Sequence, residues 1–204
     1  LTLREILLAT RSEGKLRELR PLFARAGLAV VDLRDAGIVE TPVEDTLEVH
    51  ATFEENAVAK ARYFHQLSGR PTAADDSGLV VPALGGRPGV LSKRWSGRTD
   101  LSGQSLDDEN NRLLILGLQN AQDRRAFYVC AAAYVDDGRE LVCRGETHGH
   151  VAEAARGCGG FGYDPYFFSD ELGRTFGEVS TEEKARVSHR ARAFEALVER
   201  LAPA

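Results

Sequence analysis

The chain has 204 residues, 43% of them hydrophobic and 28% charged, with a net charge of -5. That composition excludes a disordered chain and a broad basic surface for nucleic acid, and it allows one large domain or two lobes around a shared core. No apolar run reaches the ~18 residues of a membrane helix and no signal-peptide pattern opens the chain, so no membrane partner and a cytoplasmic location are expected.

Residues 4–10, REILLAT, read as a buried strand, and 14–27 as a helix with Leu16, Leu19, Leu22 and Phe23 on one face. Pro21 predicts a kink or short break in that helix. A second strand is expected over 28–33 and an acidic loop over 38–51. Residues 52–69 form a strong helix, with a Thr52–Glu55 capping box and an apolar face of Phe53, Ala57, Ala61 and Phe64. PTAADDSGLVVPAL holds one or two short strands. The Gly-, Pro- and Arg-rich stretch 85–98 reads as a loop, and 105–118 as a helix capped around Ser105 or Asp107. Residues 124–153 alternate about Asp136–Gly138, a hairpin signal, with Gly149 breaking or bending the chain beyond it. Residues 156–168 are a loop entering a short strand, and 181–201 are helical with a restart at Ser188. Strands alternating with helices, plus one hairpin, predict an α/β fold with a mixed central sheet flanked by helices.

The three cysteines, Cys130, Cys143 and Cys158, are too few for a disulfide scaffold. A hairpin with Asp136-Asp137 as its two-residue loop would set Cys130 opposite Cys143. Two buried reduced thiols are the alternative.

Two nucleotide patterns fail. ATRSEGKL lacks the Gly and the Ser or Thr of a P-loop at Ala9 and Leu16, and GCGGFG runs into Tyr163-Asp164-Pro165 where a helix should open. Other pieces carry chemistry. Thr10, Ser12, Gly14 and Lys15 at a helix start suit a phosphate, since free N–H groups and the helix dipole favour an anion. An ordinary N-cap at Ser12 is the other reading. Asn56 and Lys60 are spaced i, i+4 and share a helical face. Asp75 and Asp76 are adjacent like charges, which suit a solvated turn, or burial with a cation or proton beside them. The loop FGYDP can stack on a base, and Lys184, His189 and Arg190 lie near a helix start. The chain has 22 Arg and only four Lys: Lys15, Lys60, Lys93 and Lys184.

In this order, TxSxGK, FEENAxxKA, ADDSGL, LGGRPGV, GFGYDP, EEK and SHR resemble the inosine triphosphate pyrophosphatases, from Leu8 to about Phe194. The resemblance implies one two-lobed domain over 1–204 with a nucleotide cleft between the lobes, and usually a homodimer. It implies Mg2+-dependent hydrolysis of ITP, dITP and XTP to the monophosphate and pyrophosphate. A pyrophosphatase for pyrimidine or modified nucleotides, or a silent nucleotide sensor, is the rival reading. The implied substrate contacts are Thr10, Arg11, Ser12, Glu13, Gly14, Lys15, Asn56, Lys60, Ser77, Phe161, Gly162, Tyr163, Asp164, Lys184, His189 and Arg190. Lys15, Lys60 and Lys184 fall in motifs that resemble triphosphate contacts. Asp76 is the expected general base, and Glu48 and Asp76 the expected metal ligands, with Asp75 near the shell and Glu40 or Glu44 in reserve. Phe161 is expected to stack on the purine and Asp164 to accept from ring N–H. Arg190, with His189, is expected to donate to a 6-oxo group. The chain departs from the family pattern at Ser12, where Asn is usual, at Glu48-Val49-His50 for Glu-Thr-Gly, and at Ala155 for Pro.

Overall fold

The computed structural model describes residues 5–201, so Arg4 of the first expected strand lies outside the described residues. The elements are β1 (Glu5–Leu8), α1 (Glu13–Arg25), β2 (Ala29–Asp32), α2 (Phe53–Ser68), β3 (Thr72–Val80), α3 (Gly103–Gly117), β4 (Arg125–Val135), β5 (Glu140–Val151), β6 (Phe167–Ser169), β7 (Arg174–Thr175), α4 (Thr181–Ala185) and α5 (His189–Leu201). The sheet is mixed and seven-stranded, in the order β2-β1-β3-β4-β5-β6-β7. Its β1 pairs are parallel, and its β5–β6 and β6–β7 pairs are antiparallel. The α/β fold with a mixed sheet is therefore as the sequence predicts.

The described residues form two compact units. The first runs to Asp76 and takes Cys130–Gly145 and the residues from His189 on. The second is Ser77–Val129 and Glu146–Ser188. In the first unit, Leu16, Leu19, Leu22 and Phe23 of α1 share a core with Ile6, Leu8, Phe194 and Leu197. The Phe23 and Phe194 rings meet edge to face at 5.7 Å, a favoured aromatic geometry. In the second unit, Leu79, Leu114, Tyr128, Phe167 and Phe176 anchor a separate core.

Several local expectations change. Pro21 lies inside α1, which runs on without a break; its side chain is exposed, so the carbonyl that loses an N–H partner faces water. At α2 the Thr52 hydroxyl accepts from the Glu55 N–H and donates to the Glu55 carboxylate. The acidic loop contains a 3-10 turn, Pro42–Thr46, and the Gly-rich loop another, Gly89–Arg94. ADDSG lies in one nine-residue strand, not a solvated turn. Helix α3 starts two residues early, with Ser102 at its N-cap. The hairpin turn is one residue on, because the Asp136 N–H donates to the Arg139 carbonyl at 3.0 Å. Cys130 and Cys143 are buried free thiols.

Gly149 does not break β5, which runs on to Val151. It pairs with Ser169 of β6, and a Cβ there would collide with the Phe168 carbonyl. The glycine permits close strand approach. Gly149→Ala is expected to destabilise the fold by about 1–3 kcal/mol, the usual cost of overpacking, read as a lower urea midpoint at unchanged m-value. An unchanged midpoint would contradict this account of Gly149.

Candidate active site

Strand β1 ends at Leu8, and its parallel neighbour β3 pairs with it only through Ala73. Asp75 and Asp76 follow that last pair, on the carboxyl side of the parallel strands, where open α/β sheets bind ligands. On the same side α1 begins. Ser12 caps it, its hydroxyl accepting the Lys15 N–H at 3.3 Å, while the Thr10 hydroxyl accepts the Ser12 N–H at 3.2 Å. Lys15 is thus fixed in the first turn, and its ammonium lies 3.0 Å from Asp75 Oδ2.

Both aspartates are buried, Asp75 at 1% and Asp76 at 5% exposure. They are neutralised differently. Burial alone would raise the Asp75 pKa, but the charges of Lys15, Arg190 and Lys60 overcome it and hold the carboxylate well below its usual range. Arg190 Nε sits 3.2 Å from the same oxygen, and its other arm pairs with Glu18 of α1. Asp75 Oδ1 is buried with no hydrogen-bond partner. For Asp76, burial first and the Glu48 charge second raise the pKa to about 6, against the pull of Lys60 and Lys15. Asn56 Nδ2 donates to Asp76 Oδ2 at 2.8 Å, and Asn56 Oδ1 accepts the His50 N–H. One turn on, Lys60 pairs with Glu48. Burial would raise the Glu48 pKa, but Lys60 and then Lys15 lower it to about 2. The i, i+4 pair on α2 therefore serves two neighbouring carboxylates.

The reserve acids are placed elsewhere. Glu44 takes both Arg11 Nε and Nη2, at 3.1 and 2.7 Å, and Arg11 Nη1 donates to the Ile38 carbonyl. Glu40 is exposed. Arg11 is thus a tether for the acidic loop in this structure, and Glu13 pairs with Arg34 at the surface.

The second unit holds a different cluster. Asp164 Oδ2 accepts the Phe161 N–H at 2.9 Å and the Lys184 ammonium at 2.6 Å, and Tyr128 reaches its other oxygen at 3.4 Å. Lys184 also lies 4.9 Å from the Phe161 ring centroid and 5.2 Å from that of Phe176, a cation–π arrangement. The Tyr163 hydroxyl donates to the Ser92 carbonyl, and burial pushes its pKa far up. The Gly162 N–H donates to Asp107 Oδ2 at 2.8 Å, and its carbonyl accepts from Asn111 Nδ2 at 2.9 Å.

Four of the expected substrate contacts have partners within their own unit. Lys184 and Asp164 pair with each other beside the aromatic loop of the second unit. The Tyr163 side chain is buried in the core of that unit. Arg190 pairs with Asp75 and Glu18, both in the first unit. His189 is buried at the start of α5, and Ser77 is half-buried at the start of the second unit. Sequence reasoning missed Glu18, Asp107 and Asn111 as partners. Only the i, i+4 spacing of Asp107 and Asn111 carried a signal.

Among the described residues, no group of three or more His, Cys, Asp or Glu is arranged to hold a metal. Two carboxylates suffice for Mg2+, which keeps several waters and shares substrate phosphates. The residues fit such an ion. The Glu48 charge raises the cost of ionising Asp76, and Asp75 Oδ1, on the preceding residue, is a buried acceptor with no hydrogen-bond partner.

The sequence model of the Ham1 family matches residues 6–200. The dITP/XTP pyrophosphatase of Ralstonia nicotianae is 46% identical over 202 residues, covering 98% of this chain and 97% of that protein. The dITP/XTP pyrophosphatase of Burkholderia pseudomallei is 45% identical over 199 residues, 96% of this chain and 92% of that protein. A HAM1 protein from Coxiella burnetii aligns with a TM-score of 0.82 at 34% identity, covering 97% of this chain and 98% of that one. The nucleoside-triphosphatase / dITP/XTP pyrophosphatase from Mycobacterium abscessus aligns with a TM-score of 0.70 at 42% identity, covering 95% and 98%.

The raised Asp76 pKa carries a signed consequence for stability. Below the ordinary value of 3.8, Asp76 is neutral in both folded and unfolded chains and contributes nothing. As pH rises toward about 6, ionisation favours the unfolded chain, and above that the penalty is complete at ~3 kcal/mol. Asp76→Asn cannot ionise. With divalent ions chelated, the variant is expected to melt well above wild type at pH 8 and close to it at pH 4. A Tm difference that does not change with pH would overturn the assignment.

Proposed function

The chain belongs to the Ham1 family, and on that premise we infer that it hydrolyses non-canonical purine nucleoside triphosphates, ITP, dITP and XTP, to the monophosphate and pyrophosphate. The observation that carries this reading is the buried Asp76 carboxyl, poised near pH 6 beside Asn56, Glu48 and the ammonium groups of Lys15 and Lys60.

A triphosphate brings about four negative charges, which must be met before water can reach the α-phosphorus. Lys15 and Lys60 supply two cations, and the start of α1 supplies N–H groups and a dipole. Lys60 is shared with Glu48 in this structure, and a phosphate oxygen is the stronger competitor once Glu48 has a metal to bind. Glu48 and Asp76 would hold Mg2+, which when bound supplies charge neutralisation and polarises the phosphate oxygens. Asp76 accepts the proton of the attacking water, the new P–O bond forms at the α-phosphorus, and the α–β anhydride bond breaks. Asn56 fixes the Asp76 carboxylate through Nδ2 while its own oxygen is held by the His50 N–H.

Base contact falls to the loop around the half-buried Phe161, whose ring is proposed to stack on the base. We assign Lys184 and Asp164 to holding that loop, Arg190 to holding Asp75, and leave His189 as the donor proposed for a 6-oxo group. The three free cysteines suit a reducing compartment, and we extend the reading to a cytoplasmic homodimer. Among the described residues, no helix is long and apolar enough to cross a membrane.

Pyrophosphate release with ITP, dTTP and no substrate tests the function. ITP is expected to turn over much faster than dTTP. A preference for dTTP would favour a pyrimidine pyrophosphatase, and no release with either would favour a silent sensor. Asp76→Asn is expected to lower kcat by roughly 10²–10⁴, the usual worth of a general base. Turnover at the wild-type rate with saturating Mg2+ would remove Asp76 from that role.

Ser12 caps α1 through a single hydroxyl, and Asn is an equally good N-cap. Its amide also reaches further toward a bound phosphate. Ser12→Asn is therefore expected to leave kcat intact and to hold or tighten substrate binding by up to ~1 kcal/mol. A large rise in KM would show a loop rebuilt around serine.

A further inference from the structure

Helix α3 presents Asp107 and Asn111 one turn apart, and both reach the same residue of the aromatic loop. Asp107 Oδ2 accepts the Gly162 N–H at 2.8 Å, and Asn111 Nδ2 donates to the Gly162 carbonyl at 2.9 Å. The two bonds have opposite polarity, so they fix the peptide planes on both sides of Gly162. One of those planes carries Phe161. The orientation of the Asn111 amide follows from its partners. Nδ2 also donates to the Asp107 carbonyl at 2.9 Å, so the reverse orientation would point an oxygen at two carbonyls.

Asn111 is 5% exposed, and its Oδ1 is buried with no hydrogen-bond partner. A buried acceptor left unmatched is costly. The residue is retained at that cost because its donors are what the loop uses. Gly162 itself has φ of +62°, and a Cβ there would meet nothing within 4 Å. Glycine is needed for the backbone angle and not for space, so the clamp holds a residue with little conformational preference of its own. Asp164 holds the far side of the turn through the Phe161 N–H, and the Tyr163 hydroxyl is tied to Ser92. The Phe161 carbonyl, in the same peptide as the Gly162 N–H, accepts the Asp164 N–H at 3.2 Å, so the α3 contacts complete the hold on a turn that Asp164 closes.

We propose that Asp107 and Asn111 are positioning residues for the purine: by clamping both peptides of Gly162 they hold the Phe161 ring where it stacks on the base. The proposal rests on the stacking role inferred for Phe161. It makes α3 part of the machinery that sets base affinity, although neither residue touches the nucleotide.

The test uses the full chain with Mg2+ and two inhibitors of ITP hydrolysis, inosine monophosphate and pyrophosphate. The first needs the base contact and the second does not. Asn111→Asp is isosteric but turns the donor into an acceptor facing two carbonyls. Asp107→Ala removes the other arm, and Asp107→Asn keeps an oxygen that can accept from Gly162. For Asn111→Asp and Asp107→Ala, KM for ITP and Ki for inosine monophosphate are expected to rise ~10-fold, the scale of one lost hydrogen bond. Ki for pyrophosphate should stay at the wild-type value and kcat should be little changed. Asp107→Asn should restore wild-type behaviour. The proposal is overturned if both inhibitors weaken together, or if neither does, in a variant that still melts cooperatively. Should Asn111→Asp not fold, the Asp107→Ala and Asp107→Asn pair carries the same comparison. No ITP turnover by wild type would instead overturn the functional reading itself. Wild-type turnover with unmoved inosine monophosphate inhibition in the variants overturns the clamp alone.

Discussion

Two aspartates side by side in a buried strand set the conditions that the first unit has to meet. Successive residues of a strand point to opposite faces, so Asp75 and Asp76 need separate neutralisation. Asp75 receives Lys15 from the start of α1 and Arg190 from the start of α5. Asp76 receives Asn56 from α2, with Lys60 one turn away. Around them stand four carboxylates, Glu18, Glu48, Asp75 and Asp76, and three cations, Lys15, Lys60 and Arg190. The set is neutral only while Asp76 keeps its proton. Burial first and the Glu48 charge second raise the Asp76 pKa, and a divalent cation would offset that charge as a proton does. The stability penalty and the catalytic readiness we propose are then two consequences of one buried carboxyl whose ionisation is disfavoured.

Satisfying this cluster also explains why distant segments are fixed where they are. Lys15 is presented by a capped helix start, so the Ser12 cap bears on Asp75. Asn56 and Lys60 lie on the buried face of α2, beside Ala57, Ala61 and Phe64 of the core. Glu48 comes from the acidic loop, which Arg11 holds through Glu44 and the Ile38 carbonyl. A buried ionic network contributes little net stability but penalises any arrangement that leaves one member unpaired. In this chain the network therefore selects one placement of α1, α2 and the acidic loop in the first unit, while the Phe23–Phe194 core supplies most of the attraction.

The same distinction separates what the sequence displayed from what it concealed. Helices, strands and the hairpin follow from periodicity and turn chemistry, which are local. Asn56 and Lys60 were legible because helical spacing alone puts them on one face. Strand β7, two residues long, has no periodicity to read, and Gly149 looked like a breaker because the close approach of Phe168 is a tertiary fact. Four of the expected site residues share one property. Arg190, Lys184, Asp164 and Tyr163 have long or central side chains whose partners come from remote segments: Glu18, Asp164, Tyr128 and Ser92. Motif order could place them near a nucleotide but could not say which group each one would bond first.

That last point separates aspartates that carry chemistry from those that carry structure. Asp76 and Asp164 are both buried, and each has a lysine close by. Asp164 accepts from a backbone N–H, an ammonium and a tyrosine hydroxyl, all within its own unit. A carboxylate so saturated has little to gain from a proton or a metal, and it serves as a rigid post for the Phe161 turn. Asp76 has a neutral amide donor and a repelling carboxylate neighbour, and its lysines are shared with Glu48 and Asp75. Burial and the Glu48 charge disfavour its ionisation, and on that ground we propose it as the group that binds a cation or takes a proton from water. Residue type and burial are the same in the two cases. The surroundings of each carboxylate are what separate the chemical role proposed for Asp76 from the structural role proposed for Asp164.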